Sequence, residues 1–265
     1  MRNELDVALE AAREAGNLVL QYYNQSNYEV KNKGVGIGSR GYNPVTTADH
    51  ASNSLLKEIL LTEFPHYGWF SEETSDSPDR LTKERVWIVD PLDGTHEFIE
   101  GVPNFVVSIA LVENHLPILG VLYNPATEEI FWAASGQGVN LNGEKVQCTL
   151  QSELSEMVIL NSRTETDRGL WSRYNETFSE LRAVGSVGYK LALTAAGMAD
   201  IFVSLRPKHE WDICGGHCLI NEAGGKLIDL KSRVVTYNNE NALISPGLIA
   251  GNPSAVKNVL DVLGR

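Results

Sequence analysis

The stretch WIVDPLDGTHEF, residues 87–98, decides the fold class of this chain. Its first three residues are apolar and predict a short buried strand that ends at Asp90. A proline and a glycine follow, and they allow a tight turn into a helix that should begin at Thr95 or His96. Two carboxylates, those of Asp90 and Asp93, therefore lie three residues apart at the end of an apolar strand, where they are costly unless something neutralises them.

A divalent metal ion is the neutralising group that this pattern favours. Residues 86–100 contain no Lys or Arg, so no local ion pair is available. The two carboxylates would face one point beside the N–H groups of Gly94 and Thr95, which suits oxygen-ligated metals and a phosphate. An Asp-Gly turn with a helix cap would be the commonplace interpretation. Asp90, Pro91 and the upstream acids at 72–73, after a strand-like segment, favour the metal site instead, whereas Asp212, at the start of another helix, would by itself usually be just a cap.

Outward from this stretch, hydrophobic periodicity predicts an α/β (α+β layered) fold. We expect a mixed sheet in the first half and a second sheet after residue 150. The predicted helices are 3–24, 46–64, 167–181, 187–198, 212–222 and 253–263. The predicted strands are 87–90, 104–113, 117–124, 128–133, 157–160, 200–204, 226–229 and 248–250, with a ribbon over 139–146. A glycine-rich loop over 31–43 carries a weak match to the dinucleotide-binding pattern at 36–41, because Pro44 follows at once.

Length and composition limit the function classes. The chain has 265 residues, 43% of them hydrophobic, and a net charge of −12. This length predicts one large domain or two closely packed lobes, and we expect lobes over 1–150 and 151–265 that pack as one compact unit. The acidic surplus argues against a nucleic-acid polymer or an anionic membrane surface as partner. Three cysteines cannot form a disulfide framework, and no signal-like segment is evident, so we expect a cytoplasmic location.

Three separated motifs together resemble the inositol monophosphatase superfamily. They are the pattern at 87–98, Trp211-Asp212, and the Glu-Ala-Gly-Gly run at 222–225. The resemblance extends from Val45 to the last helix. It implies an αβαβα sandwich of the sugar-phosphatase type and a magnesium-dependent, lithium-sensitive phosphomonoesterase. A cation acidifies a water molecule that it holds, so such an enzyme needs no covalent nucleophile.

The same resemblance implies roles for individual residues. Two or three Mg²⁺ ions would be bound by Glu72, Asp90, the carbonyl of Leu92, Asp93 and Asp212. The attacking water would be oriented and deprotonated by the catalytic residues Asp49, Glu72 and Thr95. The small phosphate-ester substrate would contact Asp93, Gly94, Thr95, Ser162, Arg163, Lys190 and Asp212.

Within the superfamily, several positions favour the 3′(2′),5′-bisphosphate nucleotidases. The Leu and Glu-Phe of the pattern at 87–98 resemble that group, and Leu205 stands where inositol phosphatases carry an acid. Lys190, Arg163 and the basic run at 206–208 resemble its phosphate-binding cations, although Lys190 could also be a solvated helix residue. We therefore expect hydrolysis of 3′-phosphoadenosine 5′-phosphate. The alternatives are an inositol-1-monophosphatase or related sugar-phosphate phosphatase and, second, a metal-retaining regulatory binding protein, in which a homodimer is left open.

Two further patterns have a structural and a functional interpretation. Cys214, His217 and Cys218 lie at helical spacing and could form a zinc site with His209, but small thiols also pack well in a core. Trp171, together with a nearby tyrosine on the predicted helix 167–181, could be a core residue or a subunit contact.

Overall fold

Two mixed β-sheets, with helices on and between their faces, make up the described part of the chain, residues 3–34 and 43–264 of a computed structural model. The predicted glycine-rich pattern at 36–41 lies outside these residues. The described helices are α1 (Glu4–Gln25), α2 (Thr47–Glu63), α3 (Thr95–Glu100), α4 (Arg163–Asp167), α5 (Val187–Ala195), α6 (Glu210–Glu222) and α7 (Pro253–Leu263). Short 3₁₀ turns cover Pro78–Thr82, Leu154–Glu156 and Ser172–Tyr174. None of the described helices is long and apolar enough to cross a bilayer.

The strands divide into two large sheets and two small ribbons. The strands are β1 (Val30–Asn32), β2 (Pro44–Thr46), β3 (Gly68–Ser71), β4 (Arg85–Asp93), β5 (Val106–Glu113), β6 (Leu116–Asn124), β7 (Glu129–Ala134), β8 (Val139–Leu141), β9 (Glu144–Val146), β10 (Val158–Ser162), β11 (Glu180–Val184), β12 (Ile201–Ser204), β13 (Lys208–His209), β14 (Lys226–Asp229), β15 (Leu243–Ile244) and β16 (Leu248–Gly251). The first sheet has the order β3-β4-β5-β6-β7-β8-β9, and the second has the order β11-β10-β12-β16-β14. β3 runs parallel to β4, and β10 runs parallel to β11 and β12; the other pairs, including the ribbons β1-β2 and β13-β15, are antiparallel.

Three hydrophobic cores separate five layers. One core joins α1 and α2 to the outer face of the first sheet. The central core joins the inner faces of both sheets to α5 and α6, and the third joins α7 to the outer face of the second sheet. This α/β arrangement of helices, sheet, helices, sheet and helix confirms the predicted layered fold. Since α5 and α6 of the second half cover the first sheet, the two halves share one core, and the lobe boundary at residue 150 stays a prediction.

Side-chain caps fix the starts of the two helices that matter most for the site. Thr46 caps α2: its Oγ1 accepts from the Ala48 N–H, while its own N–H donates to Asp49 Oδ2 at 2.8 Å. At the start of α6, the N–H of His209 donates to Asp212 Oδ2 at 2.9 Å. Both acids are at the third helical position, which is the usual place for the acidic member of a capping box.

The predicted helix over 167–181 is wrong. α4 ends at residue 167, Gly169 has a φ of +71°, and the segment 180–184 instead forms β11 beside β10. Positive φ is incompatible with continuing a right-handed helix. Trp171 and Tyr174 are 1% and 5% exposed and pack in the third core, so the alternative of a subunit contact is also wrong. Both side chains are buried because the irregular segment that carries them packs against the second sheet.

Candidate active site

A cavity of about 200 Å³ lies where the end of β4, the turn before α5 and the start of α6 come together. All the residues predicted for the site line this cavity except Asp49, and Asp49 is bonded to one of the lining residues. The predicted lining residues are Glu72, Asp90, Leu92, Asp93, Gly94, Thr95, Ser162, Arg163, Lys190 and Asp212. Residues from both halves of the chain therefore build one site.

Three carboxylates form a cluster in this cavity. Glu72, Asp90 and Asp212 each place a carboxylate oxygen within 4.8 Å of the others, and no second group of this kind occurs among residues 3–34 and 43–264. Burial, followed by the neighbouring charges of Glu72 and Asp93, raises the pKa of Asp90 well above its usual range. Burial, Asp93 and Glu72 likewise raise the pKa of Asp212 to about 8.

The cluster meets the requirements of a divalent cation. Its donors are all oxygens, which suits a hard ion such as Mg²⁺ better than the softer transition metals. Without a cation, protons are the available means of relieving the repulsion between buried carboxylates. Burial and that repulsion together raise the pKa values of Asp90 and Asp212.

Asp93 lies beside the cluster but is held by the second half of the chain. Its Oδ2 accepts hydrogen bonds from Ser186 Oγ at 2.6 Å and from the Gly188 N–H at 2.5 Å. Burial raises the pKa of Asp93 to about 6, against the opposing effect of these two donors. Both bonds go to one carboxylate oxygen, so the other is left for a different partner. Ser186 was not predicted from the sequence, where its place in the glycine-containing run 185–188 is the only signal.

Asp49 and Thr95 form the predicted catalytic pair. Thr95 Oγ1 lies 2.9 Å from Asp49 Oδ1 and 3.2 Å from the carbonyl oxygen of Leu92. The other oxygen of Asp49 accepts from the backbone and hydroxyl of Thr46. Burial raises the pKa of Asp49, although these hydrogen bonds lower it in part. The pair thus joins a buried carboxylate to a hydroxyl at the cavity wall.

Lys33 supplies a cation that local sequence could not reveal. Its Nζ lies 3.0 Å from Glu72 Oε1 and also contacts Glu73 Oε1. Burial disfavours the charged ammonium, but the charges of Glu72 and Glu73 outweigh it and raise the pKa of Lys33. Burial raises the pKa of Glu73 to about 7 despite its bond to Lys33. The ion pair spans 39 residues of sequence, so no short motif signals it.

The predicted substrate-binding cations are held by protein partners. Arg163 donates to Glu97 at 3.0 Å and to Glu100 at 2.7 Å. Lys190 is only 2% exposed, and its Nζ donates to the carbonyls of Val184 and Ser186. The alternative of a solvated Lys190 is therefore wrong. Burial lowers its pKa to about 8.

The zinc alternative is wrong for the described chain. Cys214, His217 and Cys218 are buried in or beside the central core, and His217 Nδ1 lies 2.8 Å from the Tyr237 hydroxyl. Their ligand atoms and those of His209 form no cluster of metal-binding size among the residues that the structure describes.

Comparison with known proteins gives the family. The model of the inositol monophosphatase family matches residues 1–260. The chain belongs to the inositol monophosphatase family. Inositol monophosphatase 2 of Solanum lycopersicum is 33% identical over 240 residues, covering 86% of this chain and 88% of that protein. Nus factor SuhB of Escherichia coli K12 is 31% identical over 270 residues, covering 98% and 95%.

Solved structures agree with this membership of the inositol monophosphatase family. The extragenic suppressor protein suhB from Bartonella henselae has a TM-score of 0.85 and 28% identity, with 98% of each chain covered. The Thermotoga maritima IMPase has a TM-score of 0.81 and 28% identity, covering 99% of this chain and 97% of the other. Members of the family hydrolyse phosphate monoesters with the help of metal ions, and this chain is a metal-dependent phosphoric monoester hydrolase.

Proposed function

We propose that the cavity hydrolyses a small phosphate monoester by attack of water, with Mg²⁺ as the working cation. The observation that carries this proposal is the cluster of Glu72, Asp90 and Asp212. We assign the carbonyl of Leu92 and the second oxygen of Asp93 to the same metal site, which would hold two or three ions. Bound there, Mg²⁺ would acidify water and stabilise negative charge on the phosphate oxygens.

The chain's own groups would handle the proton and orient the reactants. The hydroxyl of Thr95 donates to Asp49, so its oxygen can accept a hydrogen bond from the attacking water. Asp49, whose pKa is raised by burial, is then suited to take up a proton through that hydroxyl. Glu72 would assist at the other side of the water. Gly94 and Thr95 line the cavity, and their N–H groups would hold a phosphate oxygen.

For the substrate, a polyol monophosphate such as inositol 1-phosphate is the first candidate. The Solanum relative bears the name inositol monophosphatase, and the cavity walls combine the hydroxyls of Ser162 and Ser204 with charged groups. Arg163 and Lys190 are already engaged with carboxylates and carbonyls, which weakens the argument for a second phosphate. The hydroxyls of a small polyol carry no charge, so they would need only hydrogen bonds from the cavity walls and no free cation.

3′-Phosphoadenosine 5′-phosphate, the substrate predicted from sequence, is the second candidate. Lys208 lines the cavity and would favour an additional anionic group. Leu205 provides no carboxylate for a sugar hydroxyl. The nearby acid Glu165 does not replace it, because its two oxygens accept from the N–H of Leu205, the hydroxyl of Ser204 and the indole of Trp171.

A substrate panel tests the proposal. Phosphate release would be measured from inositol 1-phosphate, 3′-phosphoadenosine 5′-phosphate and fructose 1,6-bisphosphate, each with Mg²⁺, with chelator, and with added Li⁺. We expect Mg²⁺-dependent release, inhibition by Li⁺ and a preference for inositol 1-phosphate. A preference of about tenfold, or 1.4 kcal/mol, for the nucleotide would establish the second candidate.

No release from any of the three esters would favour the remaining alternative, a regulatory binding protein that retains its metal site. The Escherichia coli relative is named a Nus factor, which gives that alternative a precedent. The complete acidic cluster supports the enzyme. A cytoplasmic location and a homodimer stay predictions that cell fractionation and sedimentation would check.

A further inference from the structure

The turn between β11 and α5 has a strained residue at its centre. Ser186 adopts φ +56° and ψ +131°, a conformation that non-glycine residues rarely take. Its hydroxyl donates to Asp93 Oδ2 and accepts from the Tyr189 N–H at 3.0 Å, so it is also the N-cap of α5. Strained backbone of this kind persists where the surroundings fix it, and it concentrates at functional sites.

Lys190 is the group that fixes this turn. It lies one helical turn into α5, and its Nζ donates to the Val184 carbonyl at 2.8 Å and to the Ser186 carbonyl at 2.5 Å. A buried ammonium is costly unless its donors are satisfied, and these two carbonyls satisfy two of its three. The ammonium therefore ties the last residue of β11 and the strained Ser186 to the body of α5.

Close packing leaves the turn little room to move. A Cβ on Gly188 would lie 2.8 Å from Leu122 Cδ2 and 3.1 Å from Asp93 Oδ2. A Cβ on Gly185 would lie 2.1 Å from the side chain of Glu97. The backbone of the turn thus approaches side chains of the first half of the chain as closely as glycine permits.

We propose that Ser186 and Lys190 are positioning residues of the metal site. Lys190 holds the turn, and the turn presents the Ser186 hydroxyl and the Gly188 N–H to a single oxygen of Asp93. With that oxygen fixed, the carboxylate loses its rotational freedom and keeps its other oxygen for the cation. The inference rests on the proposed function, because it takes Asp93 as a metal ligand. It also gives Lys190 a task other than contact with a substrate phosphate.

The general chemistry of metal sites sets the expected size of the effect. Groups that hydrogen-bond a metal-ligating side chain orient it, and their loss typically weakens metal affinity by about 10–100-fold. Ser186→Ala removes one donor to Asp93 and leaves the other. Lys190→Met removes both restraints on the turn while keeping most of the buried volume.

Calorimetric titration of Mg²⁺ into the metal-free protein tests the proposal. We expect the dissociation constant for Mg²⁺ to rise by about tenfold in Ser186→Ala and by at least as much in Lys190→Met. The matched control is Asn252→Ala, which deletes the N-cap of α7, where Asn252 Oδ1 accepts from the N–H groups of Ser254 and Ala255. That variant should lose stability as Ser186→Ala does, with Mg²⁺ affinity unchanged.

A double-mutant cycle identifies the residue through which Ser186 acts. In the Asp93→Asn background, Ser186→Ala should change Mg²⁺ affinity much less than it does in the wild type, because the two residues share one interaction. A full-sized effect of Ser186→Ala in that background would overturn the proposal.

Other outcomes separate the inference from the proposed function. Ser186→Ala and Lys190→Met proteins that bind Mg²⁺ as tightly as the wild type would overturn the inference alone. A Lys190→Met protein with normal Mg²⁺ affinity but a raised KM for the ester would assign Lys190 to the substrate and overturn its positioning role. A wild-type protein that binds no Mg²⁺ and releases no phosphate would contradict the proposed function itself.

Discussion

Asp212 serves two purposes at the residue scale. Through Oδ2 it accepts the N–H of His209 and so begins α6, and its carboxylate also belongs to the acidic cluster with Glu72 and Asp90. The first role needs only an oxygen acceptor. The second needs negative charge, which burial and the neighbouring acids make costly in the metal-free protein. Substitution by asparagine separates the two roles.

Asp212→Asn should stabilise the metal-free protein and weaken its response to metal. The amide oxygen can keep the cap, and a neutral amide avoids the cost of charging or protonating a carboxyl that burial, Asp93 and Glu72 disfavour as an anion. Activity should fall by more than about 100-fold, since a lost ligand costs more than a lost partner of a ligand. Thermal unfolding with and without Mg²⁺, together with phosphate release, measures both effects.

Asp229→Asn is the matched control for a buried aspartate. Asp229 accepts from the N–H groups of Lys231 and Arg233 and from the Arg233 side chain, so its charge is well compensated. This variant should lose stability equally with and without Mg²⁺ and keep its metal response. If Asp212→Asn behaved in the same way as the control, Asp212 would not be a metal ligand.

At the scale of elements, the site depends on how closely α5 and α6 approach. α5 carries the donors to Asp93, and α6 carries Asp212. A Cβ on Gly216 of α6 would lie only 2.5 Å from Leu191 Cβ of α5. Glycine at this position therefore allows the close approach of α6, which carries Asp212, to α5, whose cap and first turn donate hydrogen bonds to Asp93.

Gly216→Ala should force α5 and α6 apart and lower the free energy of unfolding by about 1–3 kcal/mol, as overpacked cores do. Mg²⁺ affinity should fall as well, because Asp212 lies on α6, whereas Asp93, at the end of β4, is hydrogen-bonded to the cap and first turn of α5. Denaturant unfolding and calorimetry measure the two effects. Gly264→Ala, where the nearest atom to a new Cβ is 3.4 Å away, is the control. Unchanged stability in Gly216→Ala would contradict the packing argument.

Sequence periodicity predicted most of these elements because their apolar residues recur at regular steps. α1, α2, α6 and α7 begin and end close to the predicted residues. The segment 167–181 failed because its buried aromatic side chains lie in an irregular stretch that has no repeat of its own. Tertiary packing, rather than local preference, determines such a segment.

The acidic cluster was predictable from short motifs, whereas its partners were not. Asp90 and Asp93 lie close together at the end of one strand, so the local sequence is enough to predict a metal site there. Lys33 contacts Glu72 across 39 residues of sequence, and Ser186 contacts Asp93 across 93 residues, and no local pattern encodes those contacts. Tertiary packing, rather than local sequence, brings each of these residues to its partner.

For the whole molecule, the charge of −12 has a local component that couples folding to pH. Burial raises the pKa of Asp93 to about 6 and that of Asp212 to about 8, from an ordinary value of 3.8. Between about pH 4 and pH 8, the metal-free folded chain therefore holds more protons on these two acids than the unfolded chain does. The stability that these acids contribute is therefore full below about pH 4 and is lost as pH rises toward 8.

Mg²⁺ should reverse this loss by taking the place of the protons. Binding near pH 7 should release protons, because Asp212 must be ionised to act as a ligand. Calorimetry of Mg²⁺ binding in two buffers of different ionisation enthalpy measures the number released, and it should shrink as pH rises above about 8. Asp212→Asn should release fewer protons than the wild type. Equal binding enthalpies in both buffers near pH 7 would contradict the coupling, because they would mean that the acids already carry their charge before the cation arrives.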